Sequence, residues 1–582
     1  MAGVLMFWLL LAGCARSAAP TVASPMSGKR VEGARGMVSA SHPDAAAAGA
    51  EILRLGGNAV DAFAATAFAL SVTDVSQTGL GGGGALTYYQ ANTRRAEHLS
   101  FYPRSGASAA WGEADTAAVR QAGRAAAIPG LVAGVLEAHT KWGRLTRAQV
   151  MAPAIRLARE GFVVSPLLAR TIVTSRAKLM ADSLAAARFM PSGEALRPGD
   201  RLVQPELAAT LDMVSQGGAE AFYRGAVAEQ LSAKVKSLGG LIEVADLQQY
   251  PVMAMRPLCT TWRGYTVLGA PPPMGGASVL EMLQIAESIG LASAGGFTEQ
   301  PGAVATLADV MRLGQADGGR WRGDPTSLSV PARGVAHPGY ATRRARLVGG
   351  AFVDTVVAGD PLPFDTAAGP AACASLDPYP AAVARSVPST GREERSSPDA
   401  SPEGNSYTSH LAVVDADGNA VSATTTVGVL FGSGVYTGGF FLNSAASNFD
   451  ARTRGPNRYA NSTMSPTMLL EGAKVKLVIG AAGSQYIQPA IVQVTLRILA
   501  FGEDPLTAIT APRIHASATL RDVEVEPGFA PSVYAALVAR GYRPISRVAD
   551  IAFGGVHAVF VGKNGARIGV ADPRRDGVAA AQ

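Results

Sequence analysis

The stretch GNSYTSHLAVVDAD, residues 404–417, marks a boundary between two kinds of sequence. Before Tyr407 the chain is polar and rich in proline and serine, in the run SVPSTGREERSSPDASPEGNS, which predicts a mobile tether. After Tyr407 the pattern becomes strand-like at once, in HLAVVDADGNAVSATTTV. Within this run, Asp417-Gly418-Asn419 predicts the turn of a β-hairpin. A buried strand is therefore expected directly after a flexible connection.

A hydroxyl residue, Thr408, opens this predicted strand. Cleavage of the Tyr407–Thr408 bond would give Thr408 both a hydroxyl and a free α-amine. Because an α-amine has a pKa near ~8, an unprotonated fraction is available at neutral pH to act as a base for the hydroxyl. On spacing alone, an ordinary threonine at a strand start after a linker is the commoner explanation. The rest of the chain has to decide between the two.

The composition is that of a globular protein. The chain has 582 residues, of which 48% are hydrophobic and 16% charged, and it contains 66 glycines. Such a chain forms roughly two to four domains, buries a large core and needs many tight turns. The net charge of +6 is spread along the sequence without a basic stripe, which argues against a nucleic-acid partner.

The first residues, MAGVLMFWLLLAGCARSAAP, predict an export signal. The apolar run from Val4 to Ala12 is too short to span a bilayer but suits the core of a signal peptide. It leads into Gly13-Cys14, which resembles a bacterial lipoprotein signal with Cys14 as the lipidated residue. The alternative is an ordinary signal peptide cleaved after an alanine near position 18 or 19. We expect residues 1–19 to be a signal peptide and the mature protein to be periplasmic, tethered to a membrane through Cys14.

Metal and nucleotide sites are not expected. The glycine run from Thr78 to Gly84 lacks the Lys-Ser/Thr of a P-loop and precedes the strand ALTYYQ, so we interpret it as backbone that approaches a neighbour closely. Three cysteines and seven histidines show no ligand spacing, and we expect neither a metal nor a cofactor. In an oxidising compartment Cys259 and Cys373 could pair, although nothing in the sequence sets their distance.

Several motifs occur in a definite order along the chain. They are GGNAVDAFAATAFAL, TGLGGGGAL, PGLVAGVLEAH, APPPMGGASVLEMLQI, ADGGRWRGDP, YTSHLAVVDADGNAVSATTTVG, STMSPTML, IGAAGS and ADPRR. In this order they closely resemble the gamma-glutamyltranspeptidase family of N-terminal nucleophile hydrolases, over roughly residues 36–582. Because of this resemblance, a nucleophile becomes a better explanation for Thr408 than an ordinary threonine at a strand start.

The resemblance implies an α+β fold with four αββα layers, made as one precursor that cuts itself before a threonine. It assigns residues 20–407 to a large subunit, which ends in the mobile tether at about 375–407. It assigns residues 408–582 to a small subunit that carries the nucleophile. The large and small subunits are then each other's partners, and the other partner is a small-molecule amide.

The same resemblance assigns the catalytic roles. Thr408 is the new N-terminus and the nucleophile, and Thr426 matches the threonine that supports it. An acyl-transfer reaction needs N–H donors for the oxyanion. Gly483 and Ser484 stand where the family has a Gly-Gly pair that supplies these donors, and a backbone donor does not depend on the side chain.

The substrate pocket departs from the family pattern. Where the family has an arginine that pairs with the substrate α-carboxylate, this chain has Tyr102, and Arg104 follows two residues later. A Ser-Ser pair that binds the same carboxylate is Ser462-Thr463 here. We name Tyr102, Arg104, Ser462 and Thr463 as substrate-binding candidates.

Two further pocket positions are changed. The family asparagine two residues after the supporting threonine is Gly428. The acidic residue that binds the substrate α-amine is Asn448, and this change removes a negative charge that helps to discriminate substrates. The segment DARTRGPNRYAN, residues 450–461, is short where many relatives have a longer lid, so we expect an open cleft in which hydrolysis is favoured over transfer.

Three functions remain open at this point. The first is a self-processing amidohydrolase and acyltransferase that cleaves gamma-glutamyl amides such as glutathione through an acyl-threonine. The second is an acylase for glutaryl- or cephalosporin-type amides on the same scaffold, which Tyr102, Gly428 and Asn448 favour. The third is an exported binding lipoprotein that has lost catalysis, against which the intact Thr408 and Thr426 argue.

Overall fold

The computed structural model describes residues 29–109, 122–293, 295–297, 300–376, 407–450, 452–551 and 553–582. The predicted signal peptide with Cys14, and nearly all of the predicted tether, lie outside these residues. Within the described residues, none of the helices is both long enough and apolar enough to cross a membrane.

The strands of the described residues are β1 (Arg30–Gly33), β2 (Met37–Ala40), β3 (Gly83–Gln90), β4 (Arg95–Phe101), β5 (Phe162–Val163), β6 (Arg201–Leu202), β7 (Met253–Met255), β8 (Leu258–Trp262), β9 (Tyr265–Gly269), β10 (Tyr407–Val414), β11 (Ala420–Gly428), β12 (Tyr436–Thr437), β13 (Phe440–Phe441), β14 (Thr467–Glu471), β15 (Lys474–Ala482), β16 (Ile514–Ala516), β17 (Asp522–Val525), β18 (Arg543–Ser546), β19 (Gly555–Val561), β20 (Arg567–Ala571) and β21 (Val578–Ala581).

The α-helices of the described residues are α1 (Pro43–Arg54), α2 (Ala59–Thr73), α3 (Ala122–Ala125), α4 (Leu131–Trp142), α5 (Arg147–Glu160), α6 (Pro166–Thr174), α7 (Arg176–Met180), α8 (Ser183–Phe189), α9 (Pro205–Gly217), α10 (Ala219–Tyr223), α11 (Ala226–Ser237), α12 (Val244–Gln248), α13 (Gly276–Ser288), α14 (Pro301–Trp321), α15 (Ala332–Val335), α16 (Pro338–Ala345), α17 (Leu362–Asp365), α18 (Ile487–Thr495), α19 (Pro505–Thr510) and α20 (Pro531–Ala539).

Two seven-stranded sheets form the centre of the fold. One has the order β21-β2-β10-β11-β3-β4-β7, and the other has the order β1-β20-β19-β15-β14-β9-β8. Each sheet combines strands from before and after the Tyr407–Thr408 bond. Strand β10, which contains that bond, lies between β2 and β11 and is antiparallel to both. The two halves of the chain therefore share one core.

Side chains alternate across β10, as expected of a strand that is buried on both faces. Leu411 and Val413 belong to the core formed with the helices that cover this sheet. Ala412 and Val414 point the other way, into a core between the two sheets that also contains Met468, Val478 and Val559. A third core lies between the second sheet and helices α13, α14 and α18. The order helices, sheet, sheet, helices gives the four αββα layers.

Helix α2 brings the first half of the chain to the start of β10. The Asn58 side chain accepts hydrogen bonds from Val60 N and Asp61 N, and the Asp61 side chain accepts one from Asn58 N, so the helix begins with a capping box. All of its side chains are buried, which agrees with the apolar pattern. The helix ends at Thr73, with Asp74 as its C-cap.

The glycine run after α2 is confirmed as a place of close backbone approach. A Cβ at Gly82 would lie 2.2 Å from the carbonyl oxygen of Thr426, and one at Gly84 would lie 2.4 Å from that of Thr424. Only glycine leaves room for β3 to pair with β11 at this distance. The run thus seats β3 beside the hairpin that carries the predicted catalytic threonines.

A disulfide joins Cys259 on β8 to Cys373, with the Cα atoms 5.7 Å apart. The pairing that the sequence left open is therefore present in the structure. It attaches the last described part of the chain before the tether to the edge of the second sheet.

Candidate active site

Tyr407 and Thr408 are the first two residues of β10. Thr408 is buried and Tyr407 half-buried. Tyr407 pairs with Gly428 and Ser409 pairs with Thr425, so the register shifts between them and Thr408 lies in a bulge. Bulges re-aim a side chain and are frequent next to active sites. The bond predicted to be cut is thus the irregular point of an otherwise regular strand.

Thr426 lies directly beside this bond. Its hydroxyl Oγ1 donates a hydrogen bond to the carbonyl oxygen of Tyr407 at 2.5 Å and accepts one from Gly428 N at 2.8 Å. The hairpin whose turn is stabilised by Asp415 brings the two threonines together across β10 and β11. A hydroxyl donating to this carbonyl withdraws electron density from the carbon that a nucleophile would attack.

Gly483 and Ser484 follow β15 in the opposite sheet. Ser422, which pairs with Ala412, donates to the carbonyl oxygen of Ile479, and Gly480 packs against the His410 ring. These contacts orient β15 antiparallel to β10, so its last residues extend toward the Thr408 end. Gly483 has φ +128° and Ser484 has φ +53°, so the chain turns at these two residues directly after β15.

Three of the predicted pocket positions, Tyr102, Asn448 and Ser462, meet in one cluster. Asn448 Nδ2 donates a hydrogen bond to Tyr102 Oη at 2.7 Å. Burial raises the pKa of the Tyr102 hydroxyl, while hydrogen bonds with Asn448 and Ser462 and the positive charge of Arg322 act in the opposite direction. Tyr102 is 2% exposed and Asn448 half-buried. A neutral tyrosine–asparagine pair therefore occupies the place where the family pattern has an arginine and an acid.

Thr463 stands beside the segment after β9. Ser462 N donates to Pro273 O at 3.0 Å, and Gly275 N donates to Met464 O at 3.0 Å. A Cβ at Gly275 would lie 3.0 Å from the carbonyl oxygen of Thr463. The motif APPPMGG therefore fixes the backbone around Ser462 and Thr463.

Arg104 is directed elsewhere. Its Nε donates to Asn457 O at 3.3 Å, and its guanidinium lies over the ring of Tyr459, 5.8 Å from the centroid. Its backbone forms bridges with Ile128 and Tyr459. These contacts hold the second half of the short 450–461 segment and direct the guanidinium to Asn457 and Tyr459.

Gly428 cannot be exchanged for asparagine without a local change. Its φ is +92°, and a Cβ there would lie 2.2 Å from Ser444 Oγ. Ser444 Oγ in turn accepts from Val429 N at 3.0 Å. In this chain the serine hydroxyl fills the space beside the strand end.

Sequence patterns did not single out three residues at the start of β10: Arg575 and Asp74, which contact the strand, and Gln77, which contacts both of them. Arg575 Nη1 donates to the Thr408 carbonyl oxygen at 3.0 Å and also to Gln77 Oε1. Asp74 accepts from Ser409 Oγ at 2.5 Å and from Gln77 Nε2 at 2.6 Å. Two sequence features could have pointed to these residues. One is the polar run TDVSQT, which follows the apolar helix α2, and the other is the motif ADPRR near the end of the sequence.

Comparison with known proteins agrees with this geometry. Residues 45–582 match the family described as Gamma-glutamyltranspeptidase. The chain is 32% identical over 570 residues to a glutathione hydrolase proenzyme of Bacillus subtilis (94% of this chain, 91% of the relative). It is also 32% identical over 572 residues to the acylase ACY 1 proenzyme of Pseudomonas sp. strain V22 (94% of each).

A solved structure, the cephalosporin acylase from Bacillus halodurans, superposes with a TM-score of 0.81 at 26% identity and covers 97% of this chain and 99% of that one. The predictions of the αββα fold and of the family are confirmed. The chain belongs to the gamma-glutamyltranspeptidase family.

Proposed function

We propose that the protein is a self-processing threonine amidohydrolase that cleaves gamma-glutamyl amides such as glutathione, with hydrolysis favoured over transfer. The observation that carries this proposal is the hydrogen bond from Thr426 Oγ1 to the carbonyl of the Tyr407–Thr408 bond, in a strand bulge that contains Thr408. The relatives named as glutathione hydrolase proenzymes support the same conclusion.

Self-processing begins when Thr408 Oγ1 attacks the Tyr407 carbonyl carbon. Thr426 stabilises the negative charge that develops on the carbonyl oxygen. The C–N bond breaks, the nitrogen takes the proton and becomes the α-amine of Thr408, and an ester joins Tyr407 to the Thr408 oxygen. Water then hydrolyses the ester, which gives a Tyr407 carboxylate and a free Thr408 hydroxyl.

Turnover uses the groups that this cut creates. Thr408 Oγ1 attacks the substrate amide carbonyl, and the α-amine takes the hydroxyl proton and passes it to the leaving amine. The backbone N–H groups of Gly483 and Ser484 are our proposed donors to the oxyanion. Water attacks the acyl-threonine, with the α-amine again as base, and releases the acid.

A second candidate function is an acylase for glutaryl- or cephalosporin-type amides. The Tyr102–Asn448 hydrogen bond favours it, because a neutral pair offers no countercharge to a substrate α-amine. The acylase ACY 1 proenzyme among the relatives and the cephalosporin acylase among the solved structures are consistent with it. In this function Thr408 works as above and only the acyl group differs.

Two measurements test these functions. Purified wild-type protein should migrate as two fragments split at Tyr407–Thr408, and Thr408→Ala should remain whole; a wild-type chain that never splits refutes both candidates. Hydrolysis of gamma-glutamyl anilide and glutaryl anilide then separates them, since the second substrate lacks only the α-amine. A kcat/KM at least as high for the glutaryl compound identifies the acylase.

For the location, we propose that the protein is exported and anchored through Cys14, as its signal-like N-terminus predicts. The disulfide between Cys259 and Cys373 supports export, because such bonds persist in oxidising compartments. In cells that carry the gene, Cys14→Ser should move the protein from the membrane fraction to the soluble periplasmic fraction. Wild-type protein found only in the soluble fraction contradicts the anchor.

A further inference from the structure

The start of β10 has fewer strand partners than its remainder. β2 pairs with Leu411–Val414 only, and Thr408 falls between the paired residues Tyr407 and Ser409 in the ladder to β11. A residue in a bulge loses the hydrogen bonds that hold a regular strand. Once the chain is cut, Thr408 is also a chain end, and chain ends fray unless they are tied down.

The carbonyl of Thr408 is held by a side chain from the far end of the sequence. Arg575 Nη1 donates to it at 3.0 Å, while Nη2 of the same guanidinium donates to Ile551 O at 2.8 Å. Arg575 is 3% exposed. Its side chain crosses Gly555, where a Cβ would lie 2.3 Å from Arg575 Cδ, so glycine at 555 makes its route possible.

Residues at the end of α2 fix the guanidinium and the next residue of the strand. Gln77 Oε1 accepts from Arg575 Nη1, and Gln77 Nε2 donates to Asp74 Oδ1 at 2.6 Å. Asp74 Oδ2 accepts from Ser409 Oγ at 2.5 Å. Asp74 and Gln77 are 7% and 2% exposed. Hydrogen bonds therefore hold both the carbonyl of the Thr408–Ser409 peptide bond and the side chain of Ser409.

We propose that Arg575, Gln77 and Asp74 form a clamp that positions the nucleophile, before the cut and after it. The clamp holds Thr408 through its carbonyl and through the Ser409 hydroxyl, and so places the Thr408 side chain and nitrogen without bonding to either of them. These groups then stay aligned with the reacting carbonyl. Arg575 contacts no reacting atom, so its role is positioning. The inference rests on the proposed function in one respect, that Thr408 is the nucleophile.

The test compares Arg575→Met with a matched control in the full-length protein. Arg497 is a second buried arginine, paired with Glu503 at 2.8 Å, and it is not part of the site described above. For each variant we would follow the fraction of cut chain with time, the melting temperature, and kcat and KM of the cut enzyme on gamma-glutamyl and glutaryl anilides. Arg497→Met should lower the melting temperature while the cutting rate and kcat stay within about twofold of wild type.

For Arg575→Met we expect slower cutting and a kcat lowered by roughly 10- to 100-fold with KM nearly unchanged, since a displacement of about 1 Å has an effect of this size. Arg575→Lys should recover part of the kcat, because an ammonium can reach one of the carbonyl acceptors. A folded Arg575→Met protein with wild-type cutting rate and kcat overturns the proposal. So does a kcat loss of the same size in Arg497→Met.

If Arg575→Met does not fold, the Gln77→Leu variant tests the proposal in its place. It keeps the guanidinium and removes the acceptor that orients it, and kcat should fall by roughly 3- to 10-fold. Folded Gln77→Leu protein with wild-type kcat and cutting rate overturns the proposal. A wild-type chain that never splits refutes the proposed function instead, so the two failures are distinguishable.

Discussion

Asn448→Asp should turn the enzyme toward substrates that carry an α-amine. The change adds one negative charge at a half-buried position whose present side chain donates to Tyr102 Oη at 2.7 Å. A carboxylate there accepts from the tyrosine hydroxyl and keeps a second oxygen for a substrate ammonium. Gamma-glutamyl anilide has this ammonium, and glutaryl anilide lacks it.

The expected magnitude follows from the kind of hydrogen bond gained. A hydrogen bond to a charged group contributes ~1.5–3 kcal/mol, and each 1.4 kcal/mol is a factor of ten. Because the site is only half-buried and Tyr102 competes for the carboxylate, we expect the lower part of this range. The ratio of kcat/KM for gamma-glutamyl over glutaryl anilide should rise by roughly 10- to 30-fold.

The assay is this ratio, measured at one pH and ionic strength in cut enzyme. Asn457→Asp is the matched control, since it adds the same charge on the 450–461 segment, at an exposed position beside Arg104. The control should leave the ratio within about twofold. An unchanged ratio in Asn448→Asp, or an equal rise in both variants, would show that this pocket does not read the substrate head group.

Three further predictions concern the cut, the fold and pH. Thr426→Val removes the donor to the Tyr407 carbonyl and should slow self-cleavage by ~100-fold, as seen by densitometry of the two fragments; cleavage at the wild-type rate would exclude Thr426 from that step. Replacing Cys259 and Cys373 by serine opens a loop with a sequence separation of 114 and should cost at most ~5 kcal/mol in denaturant unfolding, whereas an unchanged midpoint would mean that packing alone holds this edge. Burial raises the pKa of Asp74 to about 7, although the interactions with Ser409 and Arg575 favour the charged carboxylate. The folded state therefore holds the carboxyl proton of Asp74 more tightly than the unfolded state does. The stability due to that proton is present at pH 4 and lost as pH rises to 7, and Asp74→Asn should gain up to ~4 kcal/mol relative to wild type over that interval; parallel pH–stability curves for the two proteins would contradict this.

Local sequence patterns predicted the elements of the site well. The strand after the glycine run and the hairpin turn at Asp417–Asn419 are both present, because turn residues and strand-like runs act over a few positions. Strands β1 and β2, within residues 30–40, have no comparable signal in the sequence. Each is four residues long, and their partners β20 and β10 lie hundreds of residues away, so no short-range pattern marks them.

The same distinction separates the two parts of the site. Thr408 and Thr426, which the family resemblance pairs, meet because a hairpin with a short turn joins their two strands. Tyr102 and Asn448 are 346 residues apart, and their hydrogen bond depends on the assembled sheets. Only the resemblance to a family placed them in one pocket, and it could not show that the two replacements contact each other. Their direct contact makes them one change, a charged pair exchanged for a neutral pair.

The Arg575 clamp contains charged groups whose burial lowers the stability of the fold, and their proposed role in catalysis explains why they are there. Burial raises the pKa of Asp74 and lowers that of Arg575, so the fold disfavours the charged form of each group. The Asp74→Asn protein is predicted to be more stable than wild type above pH 7. It is also predicted to be less active, because the amide holds the Ser409 hydroxyl more weakly than the carboxylate does. Stability and turnover should therefore move in opposite directions in Asp74→Asn, which is the pattern expected of a functional site and not of a structural ion pair. A variant that loses both, or neither, would place Asp74 among the ordinary supports of the fold.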